Sequence, residues 1–203
     1  FPESLLVEKI ALYREHQIEL LFGGIVFEAA YLQEKVGQAI AYASRLGVKT
    51  VEISDNIITL SIEDKLDFVR RYLDAGIEVL YEWGKKYPTE PLKPAQAADE
   101  IGRLLALGVS QVILEEAELS LLFKSESGRA VLKELTAAVG AAHVIFETAT
   151  TEQPVWLIHE LGPDVNLGPN IALEEVLWLE PTRRGLGRAS GYTALKRYLE
   201  PAA

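Results

Sequence analysis

LDAGIEVLYEWGKK, residues 73–86, holds a whole structural unit in fourteen residues. A helix tail ends at Gly76, a short apolar run follows, and Glu82 closes it. Glycine suits the left-handed position just past a helix. The same arrangement recurs in SRLGVKTVEIS (44–54), LALGVSQVILE (105–115), AAVGAAHVIFE (137–147) and HELGPDVNL (159–167). The glycines are Gly47, Gly76, Gly108, Gly140 and Gly162. Each junction leads into a Val/Ile/Leu-rich run of the kind that forms buried parallel strands.

Five apolar runs reach a glutamate: Glu28 in LLFGGIVFE, then Glu52, Glu82, Glu115 and Glu147. A sixth, DVNLGPN, puts Asn166 in the matching place. Six strands are expected at about 21–27, 49–54, 77–82, 111–115, 143–147 and 164–167. Helices are expected between them. Leu32, Val36, Ile40, Ala43 and Leu46 form one stripe, Ser61 with Asp64 makes a capping box, and Pro94 opens a helix to Leu107. Residues 87–94 and 125–128 read as loops, and Arg188–Ala203 as an outer helix.

Alternating strands and helices give βα units in series. They fit an open doubly wound sheet or most of an eight-fold barrel. All strand ends of a barrel meet at one mouth, whereas in an open sheet only those near the switch point face the ligand. Acidic residues at so many successive ends therefore favour a (β/α)8 TIM barrel with about six βα units in this chain. The first strands are expected to be missing, leaving residues 1–203 as a single barrel domain incomplete at its N-terminus.

Composition narrows the partners. A net charge of −10 and a pI near 4.9 argue against nucleic acid, which wants a basic face. No apolar run approaches a membrane span, so no membrane partner is expected. Cysteine is absent, which removes disulfides and thiolate metal sites. A cytoplasmic location is the expectation, and exposed barrel helices leave a homo-oligomer open.

The chemistry concentrates in a few strings. In EWGKK, Gly84 lets the chain turn after the strand, and Lys85 or Lys86 follows a strand-end carboxylate. An amine in a partly dry acidic mouth binds anions or moves protons. Carboxylates at strand ends suit Mg²⁺, and Glu52 shares a strand face with Ser54 while Asp55 fits a turn. Arg183, Arg184 and Arg188 in LEPTRRGLGR are candidates for holding phosphate. His16, His143 and His159 show no ligand spacing and read as structural.

The ordered blocks LLFGGIVFE, VEISDN, YEWGKK, VILEE, VIFETA, GPDVNLGPNI and LEPTRRGLGR resemble the phosphosulfolactate synthase family of coenzyme M biosynthesis and its bacterial and plant homologues. The resemblance covers nearly the whole chain. It implies a barrel lyase that adds sulfite to phosphoenolpyruvate with Mg²⁺ assisting. Lys85, matching the GK of the family block, would be the catalytic acid. Glu52, Glu82, Glu115 and Glu147 would bind metal or orient groups. Arg183, Arg184, Arg188 and Asn166 would bind the small anionic phosphorylated substrate.

The chain also departs from the family pattern. The arginine after ILEA is absent from Glu115-Glu116-Ala117-Glu118, Asn56 replaces a glycine, and Pro169 interrupts VNLGNI. A lost charged hydrogen bond costs about 1.5–3 kcal/mol. These changes open an alternative reading: a catalytically altered or inactive barrel homologue acting as a structural or stress-related protein.

Overall fold

A computed structural model describes residues 2–195. The element order is α1 (Glu3–Glu15), β1 (Leu21–Phe22), α2 (Gly24–Leu32), α3 (Val36–Leu46), β2 (Thr50–Ser54), α4 (Ile62–Asp74), β3 (Glu78–Trp83) and α5 (Pro94–Leu107). It continues with β4 (Gln111–Leu114), α6 (Glu116–Leu122), α7 (Glu126–Val139), β5 (Val144–Phe146), α8 (Glu152–Leu161), β6 (Asn166–Leu167) and α9 (Leu173–Arg183). The strands form one six-stranded sheet in the order β1-β2-β3-β4-β5-β6. The pairs β1–β2, β2–β3 and β5–β6 are parallel. A doubly wound sheet reverses its order at a switch point. This sheet does not, so of the two architectures compatible with the sequence the open doubly wound one is excluded.

The chain packs as two compact units. One comprises the residues up to Lys85 together with Asp99–Val112. Its β2 is buried on both faces, with Val51 and Ile53 on one side and Glu52 and Ser54 on the other. Phe27 meets Phe68 edge-on at 5.4 Å, and Tyr31 meets the same ring at 5.6 Å. Such pairs add roughly 0.5–1.5 kcal/mol beyond their area. Ser61 caps α4 by accepting from the Asp64 amide at 3.1 Å, as the sequence predicts. Arg14 of α1 donates to the Leu46 and Gly47 carbonyls, satisfying the end of α3.

The other unit comprises Lys86–Ala98 and the residues from Ile113 onward. Leu114, Leu119, Leu122, Leu132, Leu135, Val144, Phe146 and Leu157 are buried in it. Trp156 meets Phe123 edge-on at 5.1 Å. Ser125 is the N-cap of α7, accepting from the Gly128 amide, so the expected loop at 125–128 is a helix start.

Two further expectations change. The run LLFGGIVFE is not a strand from 21 to 27: β1 stops at Phe22 and α2 begins at Gly24. Periodicity cannot separate a short apolar strand from a helix turn. Here Phe27 and Ala30 face the core while Ile25 and Leu32 stay exposed, so Glu28 sits in a helix. The stripe from Leu32 to Leu46 is likewise broken, because α3 starts only at Val36. Of the outer helix expected over Arg188–Ala203, residues 196–203 lie outside the described residues.

Candidate functional site

Around β2 the acidic residues are held by the chain itself. Glu28 is 2% exposed. Its carboxylate accepts from Ser54 Oγ at 2.5 Å and from the amides of Asn56, Ile57 and Ile58 at 3.1–3.2 Å. Three successive amides around one anion form a backbone nest. Glu28 thus pins the turn after β2. Glu52 Oε1 accepts from the Gly24 amide at 2.5 Å, beneath the first turn of α2, where the helix dipole favours negative charge.

Gly24 is needed for that approach. A Cβ there would run into the Ser54 side chain and lie 2.8 Å from Glu52 Oε1. Gly24→Ala is therefore expected to cost about 1–3 kcal/mol, the usual range for forcing atoms into a packed site. Urea unfolding checks this, with an unchanged midpoint as the contrary result.

Asp55 is the centre of a buried charge network. Tyr81 Oη donates to its Oδ1 at 2.8 Å, Lys65 Nζ lies 3.2 Å from the same oxygen, and Lys85 Nζ donates to Oδ2 at 2.9 Å. Lys65 also reaches Glu100 at 3.3 Å, and Trp83 Nε1 donates to Glu100 at 3.1 Å. Burial pushes the Tyr81 hydroxyl well above its ordinary pKa, reinforced by the Asp55 carboxylate, so it stays a neutral donor. Lys85 makes two more bonds, to the Asp55 carbonyl at 2.5 Å and the Ile58 carbonyl at 2.9 Å. Lys85 therefore clamps the carbonyls of the same turn whose amides Glu28 holds.

Lys86 serves a different carboxylate. Its Nζ lies 2.9 and 3.2 Å from the two oxygens of Glu115, which is 0% exposed. Glu115 follows β4 and caps α6 by accepting from the Ala117 amide. Glu147, just past β5, accepts from the Glu116 amide at 3.2 Å. Within the second unit, a carboxylate oxygen of Glu115 and one of Glu147 lie within 4.8 Å of each other. Two of the four glutamates singled out for metal thus converge, and Glu52 and Glu82 belong to the other unit. A hard, all-oxygen donor set of this kind fits Mg²⁺.

The residues expected to bind phosphate are not brought to these carboxylates. Arg183 donates to the Pro163 and Val165 carbonyls at 2.5 and 2.6 Å, which precede β6. Asn166 donates to the Ala142 and Val144 carbonyls, at the start of β5. Glu147 follows the far end of β5, about 10 Å away at roughly 3.3 Å per residue. Arg184 is exposed and paired with Glu180 one helical turn back, and Arg188 is exposed. Arg183 and Arg184 close α9, and Arg188 lies beyond it.

Ser120 and Gln153 join the site although the sequence reading passes over them. Gln153 Oε1 accepts from the Ala149 amide at 2.7 Å, in the turn after Glu147, and its Nε2 donates to Ser120 Oγ at 3.1 Å. A signal was there: Thr150-Thr151-Glu152-Gln153 has the spacing of a capping box.

Residues 1–188 match the family model described as (2R)-phospho-3-sulfolactate synthase (ComA). The chain belongs to the phosphosulfolactate synthase family. It is 35% identical over 186 residues to a phosphosulfolactate synthase of Methanothermobacter thermautotrophicus, an alignment covering 88% of this chain and 72% of that protein. It is 37% identical over 192 residues to that of Methanocaldococcus jannaschii, covering 90% and 75%. It is 30% identical over 190 residues to that of Bacillus subtilis, covering 89% and 74%. Membership of the phosphosulfolactate synthase family makes this an enzyme of that type, with a lyase-type function. No helix among the described residues is long and apolar enough to cross a membrane.

Proposed function

We propose that this chain adds sulfite to phosphoenolpyruvate with Mg²⁺ bound, and that its six strands belong to an eight-stranded barrel. Family membership supports the reaction class, and the convergence of Glu115 and Glu147 is the observation that carries the metal-assisted reading. The sulfur lone pair of sulfite attacks the methylene carbon and forms the C–S bond. The π electrons of the enol double bond move toward the substrate carboxylate. A proton then adds to the neighbouring carbon, giving the saturated phosphosulfo acid. Bound Mg²⁺ would stabilise the negative charge gathering on the substrate carboxylate.

The chain's own groups divide the remaining work. Glu115 and Glu147 would hold the metal. Lys86 rests on one of these carboxylates, and we assign it the proton. Lys85, the candidate that the family block implies, donates to three acceptors in the turn after β2. Its proposed task is to hold that turn.

Ligand-linked stability tests the binding side. A ligand that binds only the folded state stabilises by about 2.7 kcal/mol at one hundred times its Kd. Mg²⁺ and phosphoenolpyruvate together are expected to raise the melting temperature more than either alone. No rise with either would favour the altered, inactive homologue.

A further inference from the structure

The loops that carry Glu115 and Glu147 are joined by a closed circuit of side-chain hydrogen bonds. The Glu116 amide donates to Glu147 Oε2 at 3.2 Å. Glu116 Oε1 accepts from Ser120 Oγ at 3.0 Å. Ser120 Oγ in turn accepts from Gln153 Nε2 at 3.1 Å. Gln153 Oε1 then accepts from the amides of Ala149 and Thr150 at 2.7 and 3.4 Å, in the loop that begins at Glu147. The path therefore leaves the Glu147 carboxylate and returns to the Glu147 loop. One serine hydroxyl, with one proton to give and lone pairs to receive, closes it.

Gln153 is 3% exposed, and both ends of its amide are engaged. Burying such a group costs free energy unless its partners are fixed, so the circuit holds its members in one arrangement. Nothing in the circuit needs to touch substrate. It constrains two things at once: the path of the backbone after Glu147 and the direction of the Glu147 carboxylate.

We propose that Gln153 and Ser120 are positioning residues that aim the Glu147 carboxylate for metal binding. This rests on the reading of Glu147 as a metal ligand given above. Partners behind a ligating carboxylate fix its orientation, and losing one commonly costs about 10–100-fold in metal affinity. The circuit sits behind Glu147 and not behind Glu115, so the lower end of that range applies.

Mn²⁺ binding to the full chain, read as free ion by electron paramagnetic resonance, tests the proposal without any turnover. Ser120→Ala removes the Ser120–Gln153 bond, and Gln153→Glu removes its donor, so the Ser120 hydroxyl can reach the new carboxylate only by leaving Glu116. Both are expected to weaken Mn²⁺ about 10-fold. Gln153→Glu is the sharper case, because it adds a negative charge near the metal group and through-space attraction alone would tighten binding. Ser120→Thr, which keeps the hydroxyl, is expected to restore affinity to within about 2-fold of the parent, set against that 10-fold loss. Unfolding midpoints of the same variants separate lost fold from lost aim. Unchanged Mn²⁺ affinity in Ser120→Ala and Gln153→Glu, with Glu147→Gln still impaired, would overturn the positioning role and leave the metal reading intact. A parent chain that binds no Mn²⁺ would overturn both.

Discussion

Asp55→Ala is expected to lower the unfolding free energy by about 3–5 kcal/mol, the cost of removing one partner from a buried ion pair. A typical domain has only about 5–15 kcal/mol in total, so the loss is a large fraction. The reason lies in what Asp55 leaves behind. Lys65 is nearly buried, with a side-chain exposure of 10%, and of its two carboxylate partners would keep Glu100. Tyr81 would lose its acceptor in a site with no exposure at all. Lys85 would lose its bond to the Asp55 carboxylate. Asp55→Ala combined with Lys65→Met removes the stranded charge as well, and should recover part of the loss. Urea unfolding of the single and double variants measures both. A loss below about 1 kcal/mol, the range of exposed pairs, would show that the network is not what holds the turn after β2.

The second large effect is on turnover. Lys86→Arg keeps a cation beside the buried Glu115 carboxylate, so the fold has no unpaired charge to relieve. A guanidinium does not release its proton near neutral pH. The variant should therefore fold normally while kcat falls about 10²–10⁴-fold, the usual contribution of a general acid. Lys85→Arg should act mainly on stability, because its partners are a carboxylate and two carbonyls of one turn. Steady-state kinetics on both variants, with melting curves alongside, separates the two lysines. The opposite pattern would return the proton to Lys85.

Much of the architecture is written in local chemistry. Gly47 and Gly76 both adopt positive φ just past a helix, and a Val/Ile-rich strand follows each. Ser61 and Pro94 start helices where their side chains predict. Local chemistry is silent where the outcome depends on what a segment packs against. GGIVFE has the composition of a strand, yet it forms a helix whose first amide is captured by Glu52 from another element. Glu115 and Glu147 each directly follow a strand, so the repeated strand-end glutamate was enough to suggest that they meet.

Side chains whose targets are long-range backbone atoms are the hard cases. Arg183 and Asn166 look like anion ligands by type, but their donors go to carbonyls at the amino ends of strands. Lys85 and Lys86 are adjacent and chemically identical, and only the direction of each stem assigns one to Asp55 and the other to Glu115. No property of the string KK carries that information.

The reaction itself can be watched directly. Phosphoenolpyruvate labelled with ¹³C at the methylene carbon, mixed with sulfite, Mg²⁺ and the chain, should give a new carbon resonance for a methylene bonded to sulfur. In D₂O one deuterium should be fixed on the neighbouring carbon. Glu115→Gln and a chelator should each suppress the signal. If the label stays in phosphoenolpyruvate with Mg²⁺ and sulfite in excess, this chain does not carry out the addition proposed for it.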